Sequence, residues 1–461
     1  FADTCIQNNY LDNFNRKSIS IDFSSKSRQG DISSNFYLVT IKKILDKQFN
    51  LKDELLSGIH NLAFIDKCEI SKNGFININI KKKFLIEQIQ FLLNAQNQFG
   101  KSNEGNGKRV NVEFVSANPT GPVTVAHMRG AVLGDVISSL LSNTGHQVTR
   151  EYYVNNAGSQ IDILGKSLFK RYLELHGEKV ELNSNEYPGE YLIEIAKLIK
   201  KKDGDKWLNH DPIDREDYFK DFAVKYLIEF IEKDLMLLNI KFDKFSFEKD
   251  IVNSNIINDL FNILNKKNLL YNGILEKPKG DDSKDWEPRE QLLFKSSSIL
   301  DDQDRAFKKS NGEWTYFAND AAYHLDKYNR DFNKLINIWG ADHVGYIPRM
   351  KSVLKTIANK DDYLEIVTCQ IVRLIKNNKI LKMSKREGNF ITLQEVFNQV
   401  GKDPLRYFMV STKSETSMDF DLNKVIEKNK DNSVFYCQYA YARASSVINK
   451  AEDLGIDIKS L

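Results

Sequence analysis

The sequence predicts an α/β protein built on a parallel sheet, and three stretches carry that prediction. Residues 110–141 read as a short alternating strand (Val110, Val112, Phe114), a polar elbow containing Pro119, Gly121 and Pro122, and a helix striped with Ala131, Val132, Val136, Ile137, Leu140 and Leu141. VTREYYV (148–154) reads as a second strand, followed by helical spacing over 161–177. KLINIWG (334–340) reads as a buried strand ending in glycine, with a helix behind it over 347–358.

In chain order, residues 1 to about 105 are lysine-rich, with a helix expected over 36–45 and an alternating strand passing into a helix over 74–85. KSNEGNGK (101–108) is a linker or turn. Ser102 stands where a phosphate-binding GxxxxGK loop needs its first glycine, which excludes an ATPase of that kind. From about 178 to 300 the chain is charged and helical in places, which reads as an insertion, with 200–206 a solvated turn. A strand is expected over 363–374, a polar loop holds KMSKREGN (382–389), and 392–401 is a helix closed by Gly401. A helical region is expected from about 411.

A chain of 461 residues is long enough for two or three domains with sizeable cores. Its 66 basic and 63 acidic residues nearly cancel, so a nucleic-acid surface must be a local patch. Cys5, Cys68, Cys369 and Cys437 are scattered without zinc-ligand spacing and read as free thiols in a reducing compartment. No apolar run approaches the ~20 residues of a membrane span, and the N-terminus lacks the pattern of a secretion signal. It begins with Phe rather than Met, so a fragment is expected at that end. A cytoplasmic protein without a membrane partner is expected.

The elbow before the first helix is suited to an anion. The first amides of a helix have no intrahelical partner, and its dipole is positive there. His127, in or near the first turn, can hydrogen-bond a phosphate. Lys382 and Lys385, three residues apart, can act as point charges on phosphates. Read alone, KMSKR is a basic surface loop.

Residue by residue, NVEFVSANPTGPVTVAHMRG (111–130) resembles the first signature of class I aminoacyl-tRNA synthetases, which ends in His-x-Gly-His. Its flank, VEFVSANPTGP, is similar to the bacterial arginyl-tRNA synthetase form. KMSKR (382–386) resembles the second signature, KMSKS, in all but the last position. YYVNNAG (152–158), WGADHVG (339–345) and DPLRYF (403–408) are also similar to the arginyl type, and GDISSN (30–35) to part of its N-terminal domain. These segments stand in the expected order over nearly the whole chain.

The resemblance implies a Rossmann-like class I catalytic core over 106–410 with a helical insertion at about 178–300. It also implies a small tRNA-contacting α/β domain over 1–105, and a truncated all-α anticodon-binding domain beginning over 411–461. The implied enzyme is an arginine–tRNA ligase. It would activate L-arginine with ATP to arginyl-adenylate and pyrophosphate, with tRNA bound first, and then pass arginine to tRNA(Arg). Mg²⁺ is expected on the phosphates. No dedicated metal site, zinc or redox cofactor is expected, and the protein is expected to be a monomer.

By the same resemblance Thr124, His127, Lys382 and Lys385 are catalytic. The ATP site would comprise Ser116, Pro119, Gly121, Thr124, Ala126, His127, Gly340, Asp342, Lys382, Met383, Ser384 and Lys385. Arginine would be held by Glu113, Ser116, Asn118, Asn155, Tyr316, Asp320 and His343. A guanidinium carries five donors in a rigid fork, which explains the carboxylates in that set. Tyr316 and Asp320, four residues apart, share one face of a helix. Three positions depart from the family: Thr124 replaces the first His of the signature, Ala126 its Gly, and Asn156 an Asp. A Thr hydroxyl can still donate to phosphate, the Ala126 methyl crowds the backbone near adenine, and Asn156 loses a charge, so a slow or altered enzyme is expected.

Overall fold

The protein is described by a computed structural model covering residues 18–24, 30–41, 51–275, 288–381 and 391–456. It divides into two compact units, Phe1–Lys101 and Ser102–Leu461. The first holds β1 (Ile21–Phe23), β2 (Ile32–Ser34), helices α1 (Phe36–Ile41) and α2 (Leu51–His60), β3 (Ile65–Ile70), β4 (Ile76–Ile80) and α3 (Lys82–Ala95). Its sheet is antiparallel in the order β1-β2-β4-β3. The alternation in FININI produces β4, and the charged KKK that follows leads into α3 as expected. Only 36–41 of the helix expected over 36–45 lies within the described residues.

The second unit opens with β5 (Arg109–Glu113), α4 (Val125–Asn143), β6 (Gln147–Val154), α5 (Ser159–Leu175), α6 (Tyr191–Asp203), α7 (Pro212–Leu237) and β7 (Lys244–Phe247). Next come α8 (Glu248–Asn253), α9 (Ile256–Lys266) and an antiparallel sheet of β8 (Leu270–Ile274), β9 (Glu290–Phe294) and β10 (Arg305–Lys308). Then follow α10 (Tyr316–Asn329), β11 (Lys334–Gly340), α11 (Ile347–Ala358) and β12 (Leu364–Cys369). The remainder is β13 (Val372–Lys376), β14 (Lys379–Ile380), α12 (Leu393–Val400), α13 (Lys402–Ser411), β15 (Met418–Asp421) and α14 (Ser433–Asp453).

Five parallel strands form the central sheet, in the order β12-β11-β5-β6-β7. The chain runs outward from β5 through β6 to β7, then returns to lay β11 on the other side of β5. The strand order reverses between β5 and β11, and ligands of open α/β sheets bind beyond the strand ends at such a point. Helix α4 crosses close over β5 because Gly134 has no side chain; a Cβ there would lie 2.2 Å from the ring of the fully buried Phe114.

Four expectations are corrected. The stretch 178–300 contains β7, which pairs with β6 from Glu151↔Lys244 to Val154↔Phe247, so part of it belongs to the central sheet. The strand expected over 363–374 is broken, because the Gln370 N–H goes to the Ser414 carbonyl at 2.8 Å and its own carbonyl goes to Arg129 at 3.1 Å. β12 therefore ends in the central sheet, while β13 starts a second sheet, parallel to β15. That second sheet includes residues 418–421, so beyond a single 3-10 turn at Lys424–Ile426 the region from 411 is helical only from Ser433. On α4, Leu140 of the expected apolar stripe is 60% exposed, because the buried face runs through Val125, Met128, Arg129 and Val132.

Candidate active site

At the end of β5 the backbone turns sharply. Val115 has φ +68° and Ser116 φ +40°, and a β-branched residue in this left-handed region is strained. The turn aims Ser116 back into the structure, where its hydroxyl donates to Glu113 Oε1 (3.2 Å) and accepts from the Tyr153 N–H (3.1 Å). The elbow continues to Thr124, the N-cap of α4. There Thr124 and His127 form a reciprocal capping box, with the Thr124 N–H donating to His127 Nδ1 at 3.2 Å. Because Nδ1 accepts, the neutral ring carries its proton on Nε2, which can donate to a ligand oxygen.

Two adjoining cavities lie here. The larger, about 790 Å³, is lined by Val115–Asn118, Thr124, Ala126, His127, Gly130, Ile338–His343 and Cys369–Val372. The smaller, about 340 Å³, is lined by Glu113, Tyr153, Tyr316, Asp320, Tyr323, His324 and Tyr346. Val115, Ser116, Ile338, Trp339, Gly340 and His343 line both.

The smaller cavity is rich in carboxylate. Glu113, only 6% exposed, pairs with the fully buried Lys327 at 2.5 Å. Asp320 accepts from the Tyr346 hydroxyl at 2.7 Å. Burial, opposed by that hydrogen bond and reinforced by repulsion from Glu248 and Glu113, pushes Asp320 up to about 7. Burial also raises Glu248, against a hydrogen bond from Asn319.

A buried polar network stands behind these groups. Lys327 Nζ donates to Asn337 Oδ1 (3.3 Å), Asn337 Nδ2 bonds His324 Nε2 (2.8 Å), and His324 Nδ1 bonds the Asp320 carbonyl (2.7 Å). Burial, with Lys327 nearby, lowers His324 to about 3, so the ring is neutral and fits this chain of bonds. Deeper still, the fully buried Glu151 accepts from Asn111, Ser246, Tyr323 and both terminal nitrogens of Arg330. Burial alone would raise Glu151, but Lys327 and the Arg330 fork bring it down to about 2.

The larger cavity is framed mainly by main chain. Arg129, 1% exposed, directs its guanidinium at the carbonyls of Gln370, Met409, Thr412, Lys413 and Thr416, at 2.7–3.4 Å. This ties the cavity wall at 369–372 to the segment 409–416. On the other flank, the Ile391 carbonyl accepts from the Val125 N–H and the Leu393 N–H donates to the Val123 carbonyl, so the chain from 391 onward is fastened to the elbow.

The structure thus gathers Glu113, Ser116, Asn118, Thr124, Ala126, His127, Tyr316, Asp320, Gly340, Asp342 and His343 around two connected cavities. Pro119 and Gly121 are not among the lining residues. Gly121 instead faces Tyr191, whose hydroxyl binds the Thr120 carbonyl at 2.6 Å. Asn155, with its amide oriented to satisfy its bonds, donates to Ala157 O and to Glu248 Oε2 rather than lining either cavity. Asn156 uses the acceptor oxygen it retains on the Lys249 N–H. Lys382, Met383, Ser384 and Lys385 lie outside the described residues. Sequence reasoning missed Lys327, Glu151, Asn337, His324, Tyr153, Tyr346 and Arg129. For Asn111, Glu151 and Asn337 the signal was a polar residue inside a buried strand; for Arg129 it was a charge on the apolar face of α4.

Comparison with known proteins bears on this geometry. The family described as tRNA synthetases class I (R), catalytic domain, matches residues 88–446, and the arginyl tRNA synthetase N terminal domain matches 4–80. An arginine–tRNA ligase of Ruegeria pomeroyi is 43% identical over 439 residues, covering 95% of this chain and 76% of that protein. One from Ehrlichia ruminantium is 42% identical over 431 residues, covering 94% and 75%. A crystal structure of an arginyl-tRNA synthetase from Campylobacter jejuni superposes with TM-score 0.71 at 34% identity, covering 83% of this chain and 79% of that one. The Thermus thermophilus arginyl-tRNA synthetase shares the fold, with TM-score 0.68 at 16% identity over 94% and 78% of the two chains.

Proposed function

Since this chain belongs to the class I arginyl-tRNA synthetases, the ATP-dependent arginine–tRNA ligases, we propose that its smaller cavity takes the guanidinium of L-arginine and its larger one takes ATP. The observation that carries this reading is the wall of the smaller cavity, where Glu113 and Asp320 face a space joined directly to the N-terminus of α4. The planar fork of a guanidinium can bond two such carboxylates at once, and the adjoining helix end favours phosphate. Ser116, shared by both cavities, and Asn118 stand where the α-carboxylate and α-amino groups of arginine would meet the nucleotide.

The reaction joins the two cavities. The arginine carboxylate attacks the α-phosphorus of ATP and pyrophosphate leaves; the terminal ribose hydroxyl of tRNA(Arg) then attacks the adenylate carbonyl and AMP leaves. The protein's part is positioning and charge stabilisation. Asp320 and Glu113 fix the far end of arginine, His127 donates from Nε2 to a phosphate oxygen, and Thr124 holds His127 in place. We assign Lys382 and Lys385 to the leaving pyrophosphate, supported by the match to the second signature and by the anchoring of the chain at Ile391 beside Val125. Mg²⁺ would arrive on the triphosphate, where a hard cation keeps most of its water and takes few carboxylates; Asp342 is the exposed carboxylate on the cavity wall. Residues 1–101 and the helix from Ser433 we read as tRNA-contacting.

ATP–pyrophosphate exchange with total tRNA, testing each amino acid singly, checks the reading. Exchange is expected with arginine alone, and lost when Asp320→Asn removes the ionisable group. Exchange with another amino acid, or arginine exchange unaffected by Asp320→Asn, would overturn it.

A further inference from the structure

Tyr153, on β6, lines the smaller cavity and has so far been given no part in the chemistry. Its ring stacks on Tyr323 with centroids 4.3 Å apart and planes 28° apart, which fixes the direction of its hydroxyl. That hydroxyl is buried and has no hydrogen-bond partner among the described residues. It nonetheless lies within the electrostatic reach of Glu248, Asp320 and Glu113. An orphaned buried hydroxyl is costly, and most buried polar groups around it, Glu151, Asn337 and His324 among them, are bonded, with Asn111 Oδ1 a second exception.

We propose that Tyr153 is a specificity-determining residue whose phenolic oxygen accepts one N–H of the arginine guanidinium. The proposal rests on the assignment of the smaller cavity to arginine. A guanidinium presents five donors. Glu113 already accepts from Lys327 and Ser116, and Asp320 from Tyr346, so the two carboxylates do not offer all their lone pairs. The neutral phenolic oxygen of Tyr153, which lines the same cavity, takes a remaining donor. The ammonium of lysine is a compact point charge with three donors and does not span this set.

The test is direct binding of L-arginine, and separately of ATP, to the wild-type chain and to Tyr153→Phe, with melting temperatures for both. Phenylalanine keeps the stack and removes only the oxygen. The arginine Kd is expected to rise about ten- to a hundredfold, the range for a hydrogen bond to a charged group. The ATP Kd should stay unchanged and the melting temperature unchanged or higher. An unchanged arginine Kd overturns the proposal, as does equal weakening of arginine and ATP. Asp320→Asn separates the two assignments. If it abolishes arginine binding while Tyr153→Phe binds normally, only the role of Tyr153 falls. If it binds arginine like the wild type, the cavity assignment fails and the role of Tyr153 falls with it. A measurement on the wild type guards against a poorly folded variant: an Nω-methylated arginine that binds as tightly as arginine overturns the proposal.

Discussion

The two cavities adjoin, yet they are held in opposite ways. The smaller is held by side-chain charge: Glu113 is fixed by Lys327, and Lys327 is linked through Asn337 and His324 to the backbone of Asp320. The larger is held by main chain: a helix N-terminus, two residues at positive φ, and five carbonyls gathered on Arg129. Each support suits the ligand proposed for it. A planar cation is recognised by buried carboxylates, which stay put only if their own partners are fixed. A triphosphate is recognised by helix N-terminal amides, which need a stiff backbone behind them.

The comparison breaks most sharply at Lys327. Lys327→Met leaves Glu113 buried without its cation and is expected to destabilise the protein by about 3–5 kcal/mol, measurable by chemical denaturation. In protein folded at low temperature, arginine binding should suffer far more than ATP binding. If both fall together, the cavities share one support and the contrast is lost. Arg129→Met tests the other side. Leaving five carbonyls without their shared guanidinium should cost on the order of 2–4 kcal/mol and raise the KM for ATP with little change for arginine. Arg129→Lys should recover only part of this, since an ammonium cannot reproduce the planar fork.

Why these supports went unread in the sequence is itself physical. The elbow, α4, β6, β11 and the place of His127 in the first turn of α4 were legible because they rest on local pattern: alternation and helical spacing. Glu113 and Asp320 were legible only through resemblance, since a lone carboxylate at a strand end or on a helix looks like a surface residue. Lys327 pairs with Glu113 across 214 positions, and Arg129 reaches carbonyls 241–287 positions away, so no local window contains both partners. β7 was lost because a four-residue strand set among charged helices has too short an alternation to stand out. The break at Gln370 was invisible because it is made by Arg129, in another element.

pH sharpens the same comparison. Asp320 is raised to about 7 by burial and by repulsion from Glu248 and Glu113, with the Tyr346 hydroxyl opposing, while the guanidinium of arginine stays charged throughout. Arginine must bind the ionised carboxylate, so below pH 7 it has to displace a proton. Its affinity should then fall by up to about tenfold per pH unit, with proton release measurable by calorimetry in buffers of different ionisation enthalpy. Without arginine the sign reverses for stability. A raised carboxyl stabilises the fold below its unfolded pKa, and that contribution is lost as pH rises through about 7. The ligand-free melting temperature should therefore decline from pH 5 to 8, and less so in Asp320→Asn. ATP binding, on the backbone-held side, should keep the same pH profile in Asp320→Asn as in the wild type, any step near neutrality being that of its own terminal phosphate. A step for ATP that Asp320→Asn removes would show that the two cavities titrate as one.

The smallest effect is expected at Thr124, where the sequence departs from the family signature. Its side chain is 4% exposed and engaged in the capping box, so its first task is to hold the start of α4 and the ring of His127. Thr124→Ala should cost about 1 kcal/mol of stability, the usual value of an N-cap. Thr124→Ser, which keeps the hydroxyl, should be nearly neutral. If Thr124 also donates to phosphate, the Ala variant should lose kcat beyond what its stability loss explains, and Ser should restore it. If it acts only as a cap, Thr124→Asn, a strong N-cap with different reach, should restore stability and kcat together. The cap role predicts that stability and rate move in step across Ala, Ser and Asn; the phosphate role predicts that Asn restores stability while the rate stays low.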